Sequence, residues 1–287
     1  MQKKYILITG VSSGIGYDSM KYLINKGYFV IGSVRKKEDK ERLEKDFKDN
    51  FCCLQFDVTK REEIESSFET VKNKLGENHL TGLVNNAGLA IGGPMSLMPD
   101  EQFRSQMEVN LFGVRNTTNV FLPLLGAYKE FTGKPGKIIN ISSLAGVLNT
   151  PFNGAYCVSK HAVESLGEIY RRELMLYGID VISIQAGPIA SEIWAKNIGT
   201  MDRYADTDFA VMTKKADKLM QWGQRNALPA EAISGLIHKI LTIKKPKTSY
   251  IVNKNKLFTK LFVKYLPSRM VDRLLWKKMA NGNGKTQ

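Results

Sequence analysis

The sequence predicts an α/β fold, a doubly wound parallel sheet with helices on both faces, three layers in a single domain. Two observations carry that expectation. Short runs of apolar and β-branched residues alternate along the chain with helical stretches, the pattern of linked strand-helix-strand units. The first run, YILIT at residues 5–9, stops at a glycine turn, TGVSSGIG, that opens directly into a helix. With 287 residues, 43% of them apolar, the chain can bury a large core and stays within the size of one α/β domain.

The elements follow in order. The helix after the glycine turn covers residues 14–26 and places Met20, Leu23 and Ile24 on one side. Further strands are expected at YFVIGSV, CCLQFDV, HLTGLVNNA, GKIINIS, DVISIQA and TSYIV, with helices over 38–48, 60–75, 100–130, 154–177 and 229–242. In sheets wound this way a ligand lies beyond the carboxyl ends of the strands, where the winding reverses. The glycine turn, NNAG at residues 85–88, Ser143 and the loop after IQAG should therefore converge.

Chemistry is concentrated in three places. Tyr156 and Lys160 lie four residues apart in AYCVSK, thirteen residues beyond Ser143, so on a helix they share a face and an ammonium can act on a phenol. A free phenol of pKa ~10 is only about 0.1% ionised at neutral pH, and a close cation lowers that pKa. In the glycine turn, Gly10, Gly14 and Gly16 let the backbone approach a pyrophosphate, and the helix amino terminus adds N–H donors and partial positive charge. At the end of the second strand, where an acid often binds ribose hydroxyls, the run GSVRKK has no acid and brings Arg35, with Lys36 and Lys37 behind it. A guanidinium there suits a 2′-phosphate.

TGVSSGIG, NNAG, Asn110 in EVNLFG, Ser143 and YCVSK together resemble the short-chain dehydrogenases/reductases, in the order and approximate spacing of that family. The resemblance implies a Rossmann-like fold and hydride transfer between NADP(H), favoured here over NAD(H), and a small-molecule ketone or secondary alcohol. It implies catalytic roles for four residues: Tyr156 as proton donor, Lys160 as its electrostatic partner, Ser143 as a hydrogen-bond donor to the substrate oxygen, and Asn110 as a local helix break that holds a water. It implies cofactor contacts from Gly10, Ser12, Ser13, Gly14, Ile15, Gly16, Arg35, Asp57, Val58, Asn86, Ala87, Gly88, Tyr156, Lys160, Gly187, Ile189 and Ser191, with Asp57 and Val58 at the adenine. For Asp57, capping of the following helix is a competing role. The chain departs from the family after the sixth strand, where QAGPIASEIW has Ala186 in place of a proline and Ser191 in place of a threonine. A homodimer or homotetramer is also implied. A different class, a catalytically silent nucleotide-binding redox sensor, is disfavoured because Ser143, Tyr156 and Lys160 are all intact.

Residues 1–243 are expected to form the dinucleotide-binding catalytic domain. Within it, about 189–228 form a lid whose Trp194, Met201, Tyr204, Phe209, Met212, Met220 and Trp222 suit a lipid, steroid or retinoid-like substrate. Residues 244–287 form a basic amphipathic extension of the same domain. The formal charge is +14, of which residues 244–287 carry +11, with twelve Lys/Arg and only Asp272 as an acid. Lys256, Lys260 and Lys264 make a stripe beside an apolar arc of Leu257, Phe258, Leu261, Phe262 and Tyr265. Such a helix can dock on its own domain, line the substrate mouth or lie on an anionic membrane. No recognition motif accompanies the charge, which argues against nucleic acid. His79, His161 and His238 lack ligand spacing, so no metal is expected. Cys52, Cys53 and Cys157 suit a reducing cytoplasm, and the early first strand leaves no room for a signal peptide. The expected location is cytoplasmic, with peripheral membrane contact open through the tail. GNGKT at 282–286 resembles part of a phosphate loop but lacks the strand before it and the helix after it.

Overall fold

The computed structural model describes residues 3–191, 197, 199–255, 259 and 265–279. Among them are seven strands: β1 (Tyr5–Thr9), β2 (Phe29–Val34), β3 (Phe51–Gln55), β4 (Leu80–Asn85), β5 (Lys137–Ser143), β6 (Asp180–Ala186) and β7 (Ser249–Val252). They form one sheet in the order β3-β2-β1-β4-β5-β6-β7, every neighbouring pair parallel. Winding reverses between β1 and β4, and that switch point fixes where the ligand crevice opens.

Strand residues alternate between two cores because successive side chains leave opposite faces of a sheet. Ile6, Ile8, Val30 and Ile139 pack with Met20 and Leu23 of α1 (Gly14–Asn25) and Ile233, Ile237 and Ile240 of a late helix. Leu7, Ile31, Leu83 and Ile138 face the other way, onto helices that bring Ile64, Val71 and Phe121. The inner strands are thus buried on both sides, which explains their nearly continuous apolar runs.

The remaining helices are α2 (Lys37–Asp46), α3 (Arg61–Leu75), α4 (Asp100–Met107), α5 (Gly113–Phe121), α6 (Gly154–Glu173), α7 (Ala210–Arg225), α8 (Glu231–Thr242) and α9 (Ser268–Met279). The single helix expected over 100–130 is divided. A π turn at Glu108–Phe112 separates α4 from α5, and a 3₁₀ turn at Leu122–Leu125 ends at Gly126, whose φ of +93° stops the helix. The helix expected over 154–177 is α6 followed by a 3₁₀ turn at Leu174–Tyr177. Lys137 is buried at the start of β5, and its ammonium donates to the carbonyls of Ile240 (2.8 Å) and Ile243 (2.5 Å), capping the carboxyl end of α8.

Beyond β6 the chain makes a 3₁₀ turn at Thr200–Tyr204 and then α7. Met201, Tyr204, Ala216 and Met279 of α9 form a third apolar cluster with Phe152, and Phe209, Met212, Leu219 and Met220 pack against it. Trp194 and the lysine stripe Lys256, Lys260 and Lys264 with Leu257, Phe258, Leu261 and Phe262 lie outside the described residues, as does the GNGKT segment. No helix among the described residues is long and apolar enough to cross a membrane.

Candidate active site

A cleft of about 810 Å³ opens at the carboxyl ends of the central strands. Its lining includes Gly10, Ser12, Ser13, Gly14, Ile15, Arg35, Asp57, Val58, Asn86, Ala87, Gly88, Ser143, Tyr156, Lys160, Gly187, Ile189 and Ser191. Gly16 and Asn110 are not part of the lining but hold parts of it in place.

At the glycine turn, a side chain on Gly16 is excluded, because a Cβ there would overlap the Gly10 carbonyl oxygen and Asn86 Nδ2. Asn86 Nδ2 donates to the carbonyls of Thr9 and Gly10, both at 2.9 Å, while Thr9 Oγ1 accepts from the N–H groups of Asn86 and Ala87, both at 3.0 Å. NNAG is thereby stapled to the turn. Ser13 is the N-cap of α1, and its side chain makes no capping hydrogen bond, so the first N–H groups of that helix remain available to an anion. These residues fit the pyrophosphate of a dinucleotide.

At the end of β2, Val34 is buried and Arg35 and Lys36 follow it into the cleft lining, with no carboxylate at the strand end. A residue not singled out from the sequence joins them. Arg42 of α2 donates to the Ser12 carbonyl (2.9 Å) and pairs with Asp39 (3.0 Å), tying α2 to the glycine turn. Asp57 accepts from the N–H (2.9 Å) and hydroxyl (2.8 Å) of Thr59, and its own N–H donates to Glu63 Oε2 (2.8 Å). It therefore builds the turn ahead of α3, and the N-cap of that helix is Lys60.

Ser143 ends β5, accepts from the Ala145 N–H (3.1 Å) and donates to the Ala186 carbonyl (3.3 Å). Tyr156 and Lys160 lie one turn apart on α6, both buried. Burial dominates the phenol and pushes its pKa up to about 12, although a hydrogen bond with Ser143 acts to lower it. The lysine ammonium donates to the Ile141 carbonyl (2.8 Å) and lies 5.7 Å from the centre of the tyrosine ring. Burial pulls Lys160 down to about 8, against the carboxylate of Glu164 one turn further on. The ammonium is held by the Ile141 carbonyl, and burial is the largest influence on the phenol.

The loop after NNAG is held by side chains that sequence reasoning missed, apart from Asn110. Asn110, inside the π turn, accepts from the Leu89 N–H (2.8 Å) and donates to the Leu89 carbonyl (2.8 Å) and Ser159 Oγ (2.9 Å). Gln106 accepts from the Ile91 N–H (2.8 Å) and also donates to the Leu89 carbonyl. Asn197 donates to Ala90 (2.7 Å) and Arg203 to Gly92 (2.8 Å). Four side chains from three segments thus fix one strip of backbone. The amide at position 106 four residues before Asn110 is the one signal that could have pointed to this. Phe152, just before α6, has a left-handed φ of +63°, its carbonyl accepts from the Gly93 N–H (2.8 Å), and its ring meets Phe209 edge-on at 5.9 Å. A bulky residue held at positive φ marks a strained position beside the site. Ser191 lines the cleft, and its carbonyl accepts from Gln224 Nε2 of α7 (3.3 Å).

Comparison with known proteins agrees with this geometry. A family model described as short chain dehydrogenase matches residues 4–201. An NADPH-dependent 3-dehydrocapnine reductase of Ornithobacterium rhinotracheale is 41% identical over 276 residues, covering 96% of this chain and 97% of the relative. An uncharacterized oxidoreductase of Escherichia coli strain K12 is 30% identical over 275 residues, covering 96% and 95%. Among solved structures, a short-chain dehydrogenase from Streptomyces avermitilis superposes with a TM-score of 0.76 at 24% identity, covering 96% and 97% of the two chains.

Proposed function

The chain belongs to the short-chain dehydrogenase/reductase family, and from that premise we propose that it is an NADP(H)-dependent reductase that converts a ketone to a secondary alcohol, with 3-dehydrocapnine the first substrate to offer it. The observation that carries this reading is the convergence of Ser143, Tyr156 and Lys160 on one cleft with the glycine turn and Arg35. The relative that is 41% identical over nearly both full lengths, an NADPH-dependent 3-dehydrocapnine reductase, supports the cofactor and names the substrate to test.

The glycine turn and the start of α1 hold the pyrophosphate, Arg35 the 2′-phosphate, Asp57 and Val58 the adenine, and Ile189 and Ser191 the nicotinamide end. When bound, the reduced dinucleotide supplies the hydride. Ser143 and Tyr156 both direct hydroxyl groups at the carbonyl oxygen, and Tyr156 gives up its phenolic proton as the alkoxide develops. With its pKa up at about 12, the phenol is fully protonated at neutral pH, which is the state reduction requires. Lys160 stabilises the phenolate left behind and passes a proton to it. Asn110 positions the loop at Leu89 beside this pair.

Residues from about 189 to 228 form the substrate lid, and the apolar residues Met201, Tyr204, Phe209, Met212 and Met220 gathered there support an apolar substrate. Val158 and Ile169 of α6 and Phe112 of the π turn are exposed, and this face joins a second copy of the chain.

The test is an assay of 3-dehydrocapnine with NADPH and with NADH, followed at the nicotinamide absorbance. NADPH-dependent reduction is expected, and Tyr156→Phe, which removes the proton donor with little change in volume, should cut turnover by about 100-fold or more while cofactor still binds. Near-normal turnover by that variant would refute the role given to Tyr156.

A further inference from the structure

We propose that the outer face of α7 and α9 is a docking surface for an anionic lipid bilayer. On α7, Val211, Lys214, Lys218, Trp222 and Arg225 are exposed and recur every three or four residues, whereas Thr213 and Ala216 are buried on the opposite side. That spacing sets the five on one helical face. Trp222 is 62% exposed. Asp217, the acid inside this helix, is taken up by the Gly199 N–H and Gln221 Nε2, both at 2.8 Å.

Helix α9 repeats the arrangement. Met279 is buried in the cluster with Ala216 of α7, and Val271 and Leu275, eight and four residues earlier, are half-buried on that side. Met270 and Leu274 are exposed, flanked by Arg269, Arg273 and Lys277, with Trp276 also outward. Asp272 is the one acid of α9. Asp202, Asp206 and Asp208 precede α7, so the cationic stretch begins at Lys214.

Apolar side chains interleaved with cations fit a surface that is apolar below and anionic above, with tryptophan rings at the boundary. Nucleic acid would satisfy the cations and leave Met270, Leu274 and Trp222 in water. The contrast with the α6 face is informative. There Val158 and Ile169 are exposed beside the charges Glu168, Arg172 and Glu173, and Arg172 is paired with Glu168 at 2.7 Å. On α6 the acids Glu164, Glu168 and Glu173 are balanced by Lys160, Arg171 and Arg172, so that helix offers an anionic surface no net attraction. Residues 244–287 carry a net +11 in all, the charges of α9 included.

The experiment is co-sedimentation of the full chain with phosphatidylcholine vesicles, with and without phosphatidylglycerol, at low and high salt. Pelleting is expected only with the anionic vesicles and should fade with salt. Reversing Lys214, Lys218, Arg273 and Lys277 to Glu should lower vesicle partitioning by at least about tenfold, and Trp222→Ser should weaken binding without changing its salt dependence. Turnover of a soluble ketone should match in the parent and in a variant reversed only on α9, at Arg269, Arg273 and Lys277, which lie outside the lid segment. That activity arm is separate from docking, so its loss in the parent would count against the reductase reading and leave the lipid result standing. Failure of the parent to pellet with anionic vesicles at low salt, equal pelleting with neutral ones, or unchanged pelleting of the charge-reversed variant would each overturn the proposal. So would a change in the variant's oligomeric state without lipid when the parent binds no vesicles, since the face would then join two copies.

Discussion

Lys160 and Tyr156 carry opposite pH signatures that can be separated. The lysine's folded pKa lies at about 8, below its ordinary 10.5, so between those values the unfolded chain holds a proton that the native one has released. Stability therefore rises with pH across that window and is at its lowest once pH falls below about 8. Full development of the shift corresponds to about 3 kcal/mol. For the tyrosine the folded value of about 12 exceeds the ordinary 10.0, so its contribution is present below pH 10 and disappears on the way to 12. Between pH 8 and 9 the lysine contributes before the buried Cys53 thiol, pushed up from 9.0 to about 12, begins to oppose it, and Lys160→Met should remove its share of the rise, read by urea denaturation at a series of pH values. Equal slopes in parent and variant would contradict the burial of the charge. In catalysis the same group gives a second expectation, that the turnover number for reduction falls as pH rises past about 8, because the ammonium that stabilises the phenolate is lost. Cofactor choice can be dissected at the two guanidiniums. Arg35→Ala should weaken NADPH about tenfold or more relative to NADH, the worth of one charge-assisted hydrogen bond. Arg42→Ala should weaken both alike, since Arg42 is spent on Ser12 and Asp39. Titration of the two cofactors against each variant distinguishes the roles. Ser143, Tyr156 and Lys160 were legible in the sequence because their chemistry sits at helical and strand-end spacing. Arg42 was not, since in KERLEKD it looks like any charge on a solvated helix, and only the fold brings it to Ser12 thirty residues away.

At the scale of elements, the strands were legible from composition, because a strand buried on both faces leaves an uninterrupted apolar run. The break at Glu108–Phe112 could be read only through the family resemblance. Nothing in the local propensity of residues 100–130 stops a helix there, and the π turn is settled by tertiary partners. Asn110 is bound to both polar groups of Leu89, and Gly113 lies against Val58, where a Cβ would come within 2.8 Å of Cγ2. Gln106 completes the clamp from the last turn of α4. Gln106→Leu keeps the volume and leaves the Ile91 N–H without its acceptor, so a loss of about 1–3 kcal/mol is expected. The urea midpoint should fall with an unchanged slope. Because Leu89 and Ala90 line the cleft, KM for the carbonyl substrate should rise as well, whereas a change in stability with an unaltered KM would show that the clamp serves the fold and not the site.

At the scale of the whole molecule, the sheet order was foreseeable because parallel strands with helical crossovers admit few windings, and the meeting of distant motifs follows from the switch point between β1 and β4. The surface was less legible, since an exposed residue has no partner in its own chain to betray its purpose. Two exposed faces differ in charge, and the one on α6 and the π turn is the proposed contact between copies. Val158 and Ile169 are eleven residues apart, about three helical turns, so they stand on one line along α6, and each is nearly half exposed, at 44% and 46%. Phe112, 42% exposed, borders them from the π turn. Tyr156 and Lys160 bracket Val158 in sequence but are buried, so a charge placed at position 158 disturbs the outer face while the catalytic side of the helix keeps its packing. Val158→Lys combined with Ile169→Lys puts two desolvated cations into the contact, a change that disfavours association far more strongly than loss of apolar area alone. Sedimentation velocity should show the parent as a dimer or tetramer at micromolar concentration and the double variant as a monomer with an unchanged circular dichroism spectrum. A parent that sediments as a monomer throughout, or a double variant that remains assembled, would remove this face from the interface and leave its apolar line to another occupant.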